Sequence, residues 1–516
     1  MDQLLAALPM AFEPMVLAMA AAGLVIGIVI GAIPGLNVPL AVAVALPVTF
    51  NLEPLAGLAM LVGIYKGGTY AGSLSAVLIG IPGTPAAAAT ALDGAPLMRA
   101  GQAGKALKMS LYASIIGSFI SDLALIFFAL PMAMAALSFG PAENFALGIF
   151  SLTLIAVLSE GMMLKGLISG ALGIFLATFG IDPLTGDFRL TFGVTEISAG
   201  WNFIALVMGV FAVAEGFAMV ERKVRKGEAP APVARVRLSD PDHSLTRAEW
   251  RASAPSILRS APIGVAIGAV PGLGSAIAAF LTYGLARTFS RDPGRFGKGA
   301  VEGVAAAETG NSSVTSSTFI PLLTLGIPGD VITAIMLGAF MIHGLVPGPT
   351  LFTESGTFVT AFFVVMVLTT LLHLVIGRAG MSLFIQAVRV PTDILFPVVL
   401  LLCFTGVYVA TNSFFDLYVM LGFGLLGYGM NKLGFPVAPL LIGFILGPLV
   451  EVGMRQSLIL SRGSLDIFVD RPIAGLFLAM AAITLAWVGW RELRGPKAPR
   501  PDPKARPETE TGDSAR

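Results

Sequence analysis

The apolar residues of this chain come in long unbroken blocks, and that feature excludes most folds. Pro14–Ile33, Leu111–Leu137 and Phe358–Ile376 each approach or exceed the roughly 20 residues that cross a bilayer core. Hydrocarbon offers the backbone no water to bond, so only helices or a closed barrel can span it. Barrel strands alternate apolar and polar residues, and these blocks have no period of two. The expected class is an all-α polytopic membrane protein with about ten to twelve membrane segments, counted as roughly 20-residue units. The chain is 56% hydrophobic and 12% charged with mean hydropathy +0.86, too little charge to cover a soluble protein of 516 residues. A net charge of +1 gives no bulk attraction to nucleic acid. A single cysteine, Cys403, excludes an internal disulfide and a cysteine metal cluster, and reads as a small buried apolar residue. No Lys or Arg precedes the first apolar stretch, so no cleaved signal peptide is expected.

Two polar stretches interrupt the pattern. Glu221–Arg259 is rich in Pro and basic residues, and the region after Trp490 is charged and Pro-rich. They divide the chain into a first membrane repeat (1–220), a basic cytoplasmic linker (221–259), a second membrane repeat (260–470), a final transmembrane helix (471–490) and a disordered cytoplasmic tail (491–516). The two halves share motifs. Gly27-Ile-Val-Ile-Gly31-Ala-Ile-Pro34-Gly35-Leu36 returns as Gly264-Val-Ala-Ile-Gly268-Ala-Val-Pro271-Gly272-Leu273. Further on, Gly80-Ile81-Pro82-Gly83 returns as Gly326-Ile327-Pro328-Gly329. One small-residue motif marks only helix packing. Two different motifs, each present twice in the same order, mark a repeat.

Loop charge indicates how the halves lie. Lys and Arg gather in cytoplasmic loops, so the linker and the tail are expected inside. After the first Pro-Gly-Leu comes Asn51-Leu-Glu-Pro, without a cation, whereas the matching region of the second half carries Arg287, Arg291, Arg295 and Lys298. After the first Gly-Ile-Pro-Gly come Arg99, Lys105 and Lys108, whereas His343-Gly-Leu-Val-Pro-Gly-Pro-Thr follows the second. Basic loops in one half match uncharged loops in the other, the pattern of two inverted-topology repeats. Secondary transporters are built this way, with substrate near the midplane between the repeats.

Gly and Pro inside apolar segments break helices. Such breaks at membrane depth survive only when buried in protein or lining a wet cavity. Gly31, Pro34, Gly35, Gly268, Pro271 and Gly272 mark one pair of breaks; Gly80–Pro85 and Gly326–Asp330 mark the other, as re-entrant hairpin tips or discontinuous helices. Freed N–H groups at a helix start suit a carboxylate, and freed carbonyls suit Na⁺. Polar runs precede each Gly-Ile-Pro-Gly, Lys66–Ser75 in one half and Glu308–Thr318 in the other. The candidate substrate groups are Ser73, Ser75, Gly80, Pro82, Gly83, Thr84, Asn311, Ser312, Ser313, Gly326, Pro328 and Gly329; the candidate coupling-ion groups are Asn37, Thr69, Glu308, Thr315 and Asp330. Asp122 and Glu308 are the best-placed intramembrane acids. Lys66 reads either as a counter-charge for an anion or as a snorkelling side chain. His343 and His373 read as hydrogen-bonded packing residues. A phosphate-binding loop, a nucleophile elbow and an HExxH motif are all missing, so no enzyme, no ATP drive by this chain and no cofactor are expected.

At these motifs the sequence resembles a known family. GTYAGSLSAVLIGIPGTPAAAATALDGAPLMRAGQAGKAL (Gly68–Leu107) is similar to the signature of the TctA family, the large membrane subunit of tripartite tricarboxylate transporters. GAVPGLGSAIAAFLTYGLAR (Gly268–Arg287), FGKGAVEGVAAAETGNSS (Phe296–Ser313) and Ile320–Phe352 agree, and the likeness runs over roughly residues 15–435. The resemblance implies secondary active, cation-coupled uptake of citrate or other di- or tricarboxylates across a bacterial inner membrane, with Na⁺ or H⁺ as coupling ion. It also implies two partners: a small membrane subunit (TctB-like) and a periplasmic solute-binding protein (TctC-like). Alternating access of the elevator type and a homodimer fit such a carrier. A passive carboxylate channel and a carrier of aromatic or amino acids are the alternatives. Many relatives carry paired asparagines after the glutamate; this chain has Thr309-Gly310-Asn311-Ser312, with one amide replaced by a hydroxyl.

Overall fold

The structure, a computed structural model, describes residues 2–158, 163–226, 243–388 and 392–493. Residues 227–242 of the basic linker and 494–516 of the C-terminal tail thus lie outside the described residues. The first half begins with α1 (Asp2–Ala11) and α2 (Pro14–Ala32), then turns through Pro34-Gly35-Leu36 into α3 (Val38–Thr49). Next come α4 (Pro54–Ile79), the Gly80–Gly83 turn, α5 (Ala87–Arg99) and α6 (Ala103–Ala136). Proline opens α2 and α4, where a missing N–H costs nothing and a fixed φ favours the helix. Asn37 caps α3 by accepting from the Leu40 amide at 2.9 Å. After α7 (Pro141–Leu158), α8 (Met163–Ala177) and a small antiparallel hairpin, β1 (Gly180–Ile181) with β2 (Phe188–Arg189), the chain continues as α9 (Phe203–Val207), a π-turn and α10 (Ala214–Lys226). Outside the bilayer, Arg455 holds the Asp182 carboxyl of the hairpin well below the usual carboxylate range by a 2.6 Å hydrogen bond, with help from the Leu184 amide.

The second half repeats the element order. α11 (Arg247–Gly268) starts inside the stretch read from sequence as linker, fixed by a capping box between Thr246 and Glu249. It turns at Pro271-Gly272-Leu273 into α12 (Gly274–Thr288), followed by α13 (Val301–Ser317) and its extension α14 (Phe319–Leu325). The Gly326–Gly329 turn leads to α15 (Val331–Ile342), short α16 (Leu351–Glu354) and long α17 (Gly356–Ala387). The chain ends in α18 (Thr392–Thr411), α19 (Phe414–Lys432), α20 (Val437–Leu460), α21 (Ile467–Asp470) and α22 (Pro472–Leu493). Among the described residues six helices are long and apolar enough to cross a membrane, and five shorter apolar helices of 10–17 residues accompany them. The chain is an all-α, multi-pass membrane protein.

Corresponding helices of the two halves run antiparallel where they touch. Along α4 and α13, Ser73 meets Glu308, Thr69 meets Asn311 and Tyr65 meets Phe319, so one number rises as the other falls. Along α6 and α17, Tyr112 meets Arg378 and Asp122 meets Thr370 in the same sense. Both α4 and α13 lie in the interior: every residue from Leu55 to Leu78 is buried, and so is all of α13 except Glu302. Polar runs that resemble surface loops in sequence are therefore central helices, covered by α2, α5, α6, α11, α12 and α17.

One acid joins the halves. Asp93, on α5, is fully buried and accepts from the amides of Gly297 (2.8 Å), Gly299 (2.8 Å) and Ala300 (2.9 Å) and from the Tyr283 hydroxyl (2.9 Å). It anchors, from the first half, the loop and the N-cap residue that lead into α13 in the second. Asp93→Ala leaves the buried Ala300 amide and Tyr283 hydroxyl without their acceptor and is expected to cost roughly 1–3 kcal/mol, read as a fall in thermal stability of the detergent-solubilised protein. Stability within error of the parent would show that the anchor contributes nothing.

Candidate functional site

The interior polar side chains form a continuous seam between α4, α6, α13 and α17. At one end is Glu308, fully buried on α13. It accepts from Ser73 of α4, from Thr90 of α5 and, at 2.9 Å, from Ser114 of α6. All three donors are neutral hydroxyls, and among the described residues no Lys, Arg or His pairs with this carboxylate. An ionised carboxylate in dry protein is costly unless a cation compensates it.

At the other end is an ion pair. The Lys66 Nζ lies 2.6 Å from Asp122 Oδ1, with both side chains at most 1% exposed. Lys66 also donates to the Met366 carbonyl (2.8 Å) and to the Thr370 hydroxyl (2.7 Å). Asp122 further accepts from Ser316 (2.5 Å) and Thr370 (2.6 Å). Lys66 is therefore neither snorkelled nor open to an anion: its charge is spent on Asp122. Positions 308 and 316 on α13, like 114 and 122 on α6, are eight residues apart, so the two ends are separated by about 12 Å of helix rise. Between them Tyr70 packs edge-on against His373 with ring centroids 5.2 Å apart. The Tyr70 hydroxyl and both His373 ring nitrogens lack a hydrogen-bond partner, so the hydrogen-bonded role expected for His373 is not what the structure contains. The same holds for His343 Nε2.

The two Gly-Ile-Pro-Gly turns dock on one face of α4. Gly80 and Gly326 end the preceding helices in left-handed conformation, at φ +70° and +71°, which glycine adopts without strain. Gly83 donates to the Gly72 carbonyl at 3.1 Å, and Thr84 lies beside Gly72. Asp330 accepts from the Tyr65 hydroxyl at 2.5 Å and caps α15 through Thr333. Tyr65 and Gly72 are two helical turns apart, so the turns of the two halves sit about 10 Å from each other along α4. Thr69 lies between them, its carbonyl accepting from Asn311 Nδ2 at 3.3 Å, while the buried Asn311 Oδ1 lacks a partner. In each half the two helix breaks also touch. A Cβ on Gly83 would meet the Gly31 carbonyl at 2.7 Å, and Gly272 donates to the Gly329 carbonyl at 2.8 Å.

The remaining candidates divide clearly. Gly80, Pro82 and Pro85 are exposed, whereas Pro328 and Gly329 are buried, so the two turns differ in access. Ser75, Ser313, Thr69 and Thr315 each turn their hydroxyl to a carbonyl three or four residues back, at Gly72, Thr309, Tyr65 and Ser312. They do not converge on one point in this conformation. Ser312 is buried on α13. Asn37 is occupied as a cap, and Pro34, Gly35, Gly268 and Pro271 shape the turns near it and its counterpart. Sequence reasoning missed Tyr65, Thr90, Asp93 and Ser114. Tyr65 reaches Asp330, Thr90 and Ser114 reach Glu308, and Asp93 reaches the loop before α13, so each contact joins residues far apart in the sequence.

The sequence is matched by relatives. The model of the "Tripartite tricarboxylate transporter TctA family" matches residues 17–442. An "Uncharacterized 52.8 kDa protein in TAR-I ttuC' 3'region" of Agrobacterium vitis is 35% identical over 478 residues, covering 92% of this chain and 94% of that protein. An "Uncharacterized protein in TAR-II ttuC' 3'region" of the same organism is 36% identical over 220 residues, 43% of this chain and 91% of its own length. No solved structure matches. The family is that of the large membrane component of tripartite transporters, which work with a small membrane subunit and a solute-binding protein. The family match across most of the chain and the helical membrane architecture agree: this chain belongs to the tripartite tricarboxylate transporter TctA family.

Proposed function

We propose that this chain is the translocating subunit of a secondary active carrier in a bacterial inner membrane, and that it takes di- or tricarboxylates such as citrate from a periplasmic binding protein. A small membrane subunit accompanies it, and a cation gradient, Na⁺ or H⁺, drives uptake by alternating access. The observation that carries this reading is Glu308: a buried carboxylate at the contact of the two halves, held by hydroxyls alone. Such a group binds a cation from one side and must release it to the other, which is what coupling requires. The antiparallel passage of α4 along α13 and of α6 along α17 supports an inverted-repeat arrangement with the substrate between the two Gly-Ile-Pro-Gly turns. Asp330, ringed by Tyr65 and Thr333, is the second cation ligand in this scheme, and Thr69, Thr84, Asn311 and Ser312 line the space between the turns.

The test is uptake of labelled citrate and a panel of carboxylates into proteoliposomes holding all three subunits, with and without a Na⁺ or pH gradient. Accumulation above equilibrium that follows one cation gradient is expected. Equilibration without accumulation would identify a passive channel, and selective uptake of amino or aromatic acids would displace the tricarboxylate assignment.

A further inference from the structure

An open groove of about 710 Å³ lies between α6, the start of α11 and α17, lined by none of the seam's polar side chains. Its floor is apolar, formed by Ile115, Ile116, Leu374, Val375 and Ala379. Its rim is different. Arg378 donates to the Tyr112 hydroxyl at 3.2 Å, and Tyr112 packs against Trp250 with ring centroids 5.5 Å apart. Trp and Tyr collect where hydrocarbon meets headgroups. The Lys105–Glu249 pair links α6 to α11 near this rim, and Arg247 and Arg251 are exposed on the same stretch of α11 as Trp250. The rim therefore sits on the basic side of the molecule, next to the linker. Arg378 is exposed, yet among the described residues it has no acidic partner: its hydrogen bond goes to a neutral phenol. A guanidinium at the membrane boundary without a counter-ion calls for an anion, and an apolar trough leading away from it calls for a hydrocarbon chain.

We propose that this groove binds one anionic phospholipid, its phosphate on Arg378 between Tyr112 and Trp250 and an acyl chain over Ile115, Leu374 and Val375. Charge complementarity selects the occupant. A zwitterionic lipid brings no net charge to Arg378, and a free phosphate leaves the trough empty. The site ties α6 and α17, the two long antiparallel helices, to the first turns of α11, and it goes beyond the transport reading because it needs no substrate.

The full chain is reconstituted with phospholipids carrying brominated acyl chains, and tryptophan fluorescence is compared between the parent and Trp250→Phe, so that the difference reports Trp250. Brominated phosphatidylglycerol is expected to quench this component about fivefold more effectively than brominated phosphatidylcholine at equal mole fraction, the ratio given by ~1 kcal/mol for one basic side chain. Arg378→Gln removes the preference and leaves the phosphatidylcholine value unchanged. Ala379→Phe, which keeps the arginine and fills the trough, lowers quenching by both lipids. Equal quenching by the two lipids in the parent, or a preference that survives Arg378→Gln, overturns the proposal. Loss of Trp250 quenching on adding the small membrane subunit also overturns it and assigns the groove to protein docking.

Discussion

Glu308→Gln is expected to lower gradient-driven uptake by roughly 5- to 150-fold, the range that a coupling free energy of 1–3 kcal/mol spans, while substrate exchange without a gradient survives. Glutamine keeps the shape of the side chain and one acceptor oxygen, and the rotatable hydroxyls of Ser73, Thr90 and Ser114 can turn to meet its amide. What it loses is the negative charge that makes a cation welcome in the interior. Packing is nearly unchanged, so a drop in driven uptake with intact exchange separates coupling from folding. Accumulation by Glu308→Gln equal to the parent's would remove Glu308 from the coupling scheme. Asp330 would then be the remaining half-buried acid there that, among the described residues, has no basic partner.

Lys66→Met is expected to be the most destabilising single change in the seam, at about 3–5 kcal/mol, because it leaves Asp122 charged and buried without its partner. Lys66→Met combined with Asp122→Asn should recover most of that loss, since asparagine is neutral, its oxygen accepts from one of the Ser316 and Thr370 hydroxyls, and the other hydroxyl can rotate to accept from its amide. Thermal unfolding of the two variants and of Asp122→Asn alone in detergent gives the coupling directly. If the double variant is as unstable as the sum of the singles, the two charges do not act as a pair. Uptake measured on the stable double variant then shows whether the pair also serves transport.

The helical membrane class was legible because apolar length is a local property of the chain: Pro14–Ile33 and Phe358–Ile376 mark their helices without tertiary information. The helix breaks were legible for the same reason, as Gly and Pro act on their own backbone, and Gly80 and Gly326 stand at helix ends. The polar seam was only partly legible. Glu308 and Asp122 stood out as acids inside apolar sequence, but their opposite fates did not. Asp122 is neutralised by a lysine from α4, whereas Glu308 meets hydroxyls from three helices. Nothing in the spacing of Lys66 to Asp122, or of Thr90 and Ser114 to Glu308, distinguishes these outcomes. Asp93 illustrates the limit most clearly, because an acid on one helix that anchors the approach to another two hundred residues away leaves no periodic trace.

Asp93 also dictates which parts can travel together. Its bonds weld α5 to the front of α13, so a displacement of one drags the other with it. Under the alternating-access reading proposed above, any moving unit therefore takes in α5 and α13 together, and one half does not swing as a block against the other.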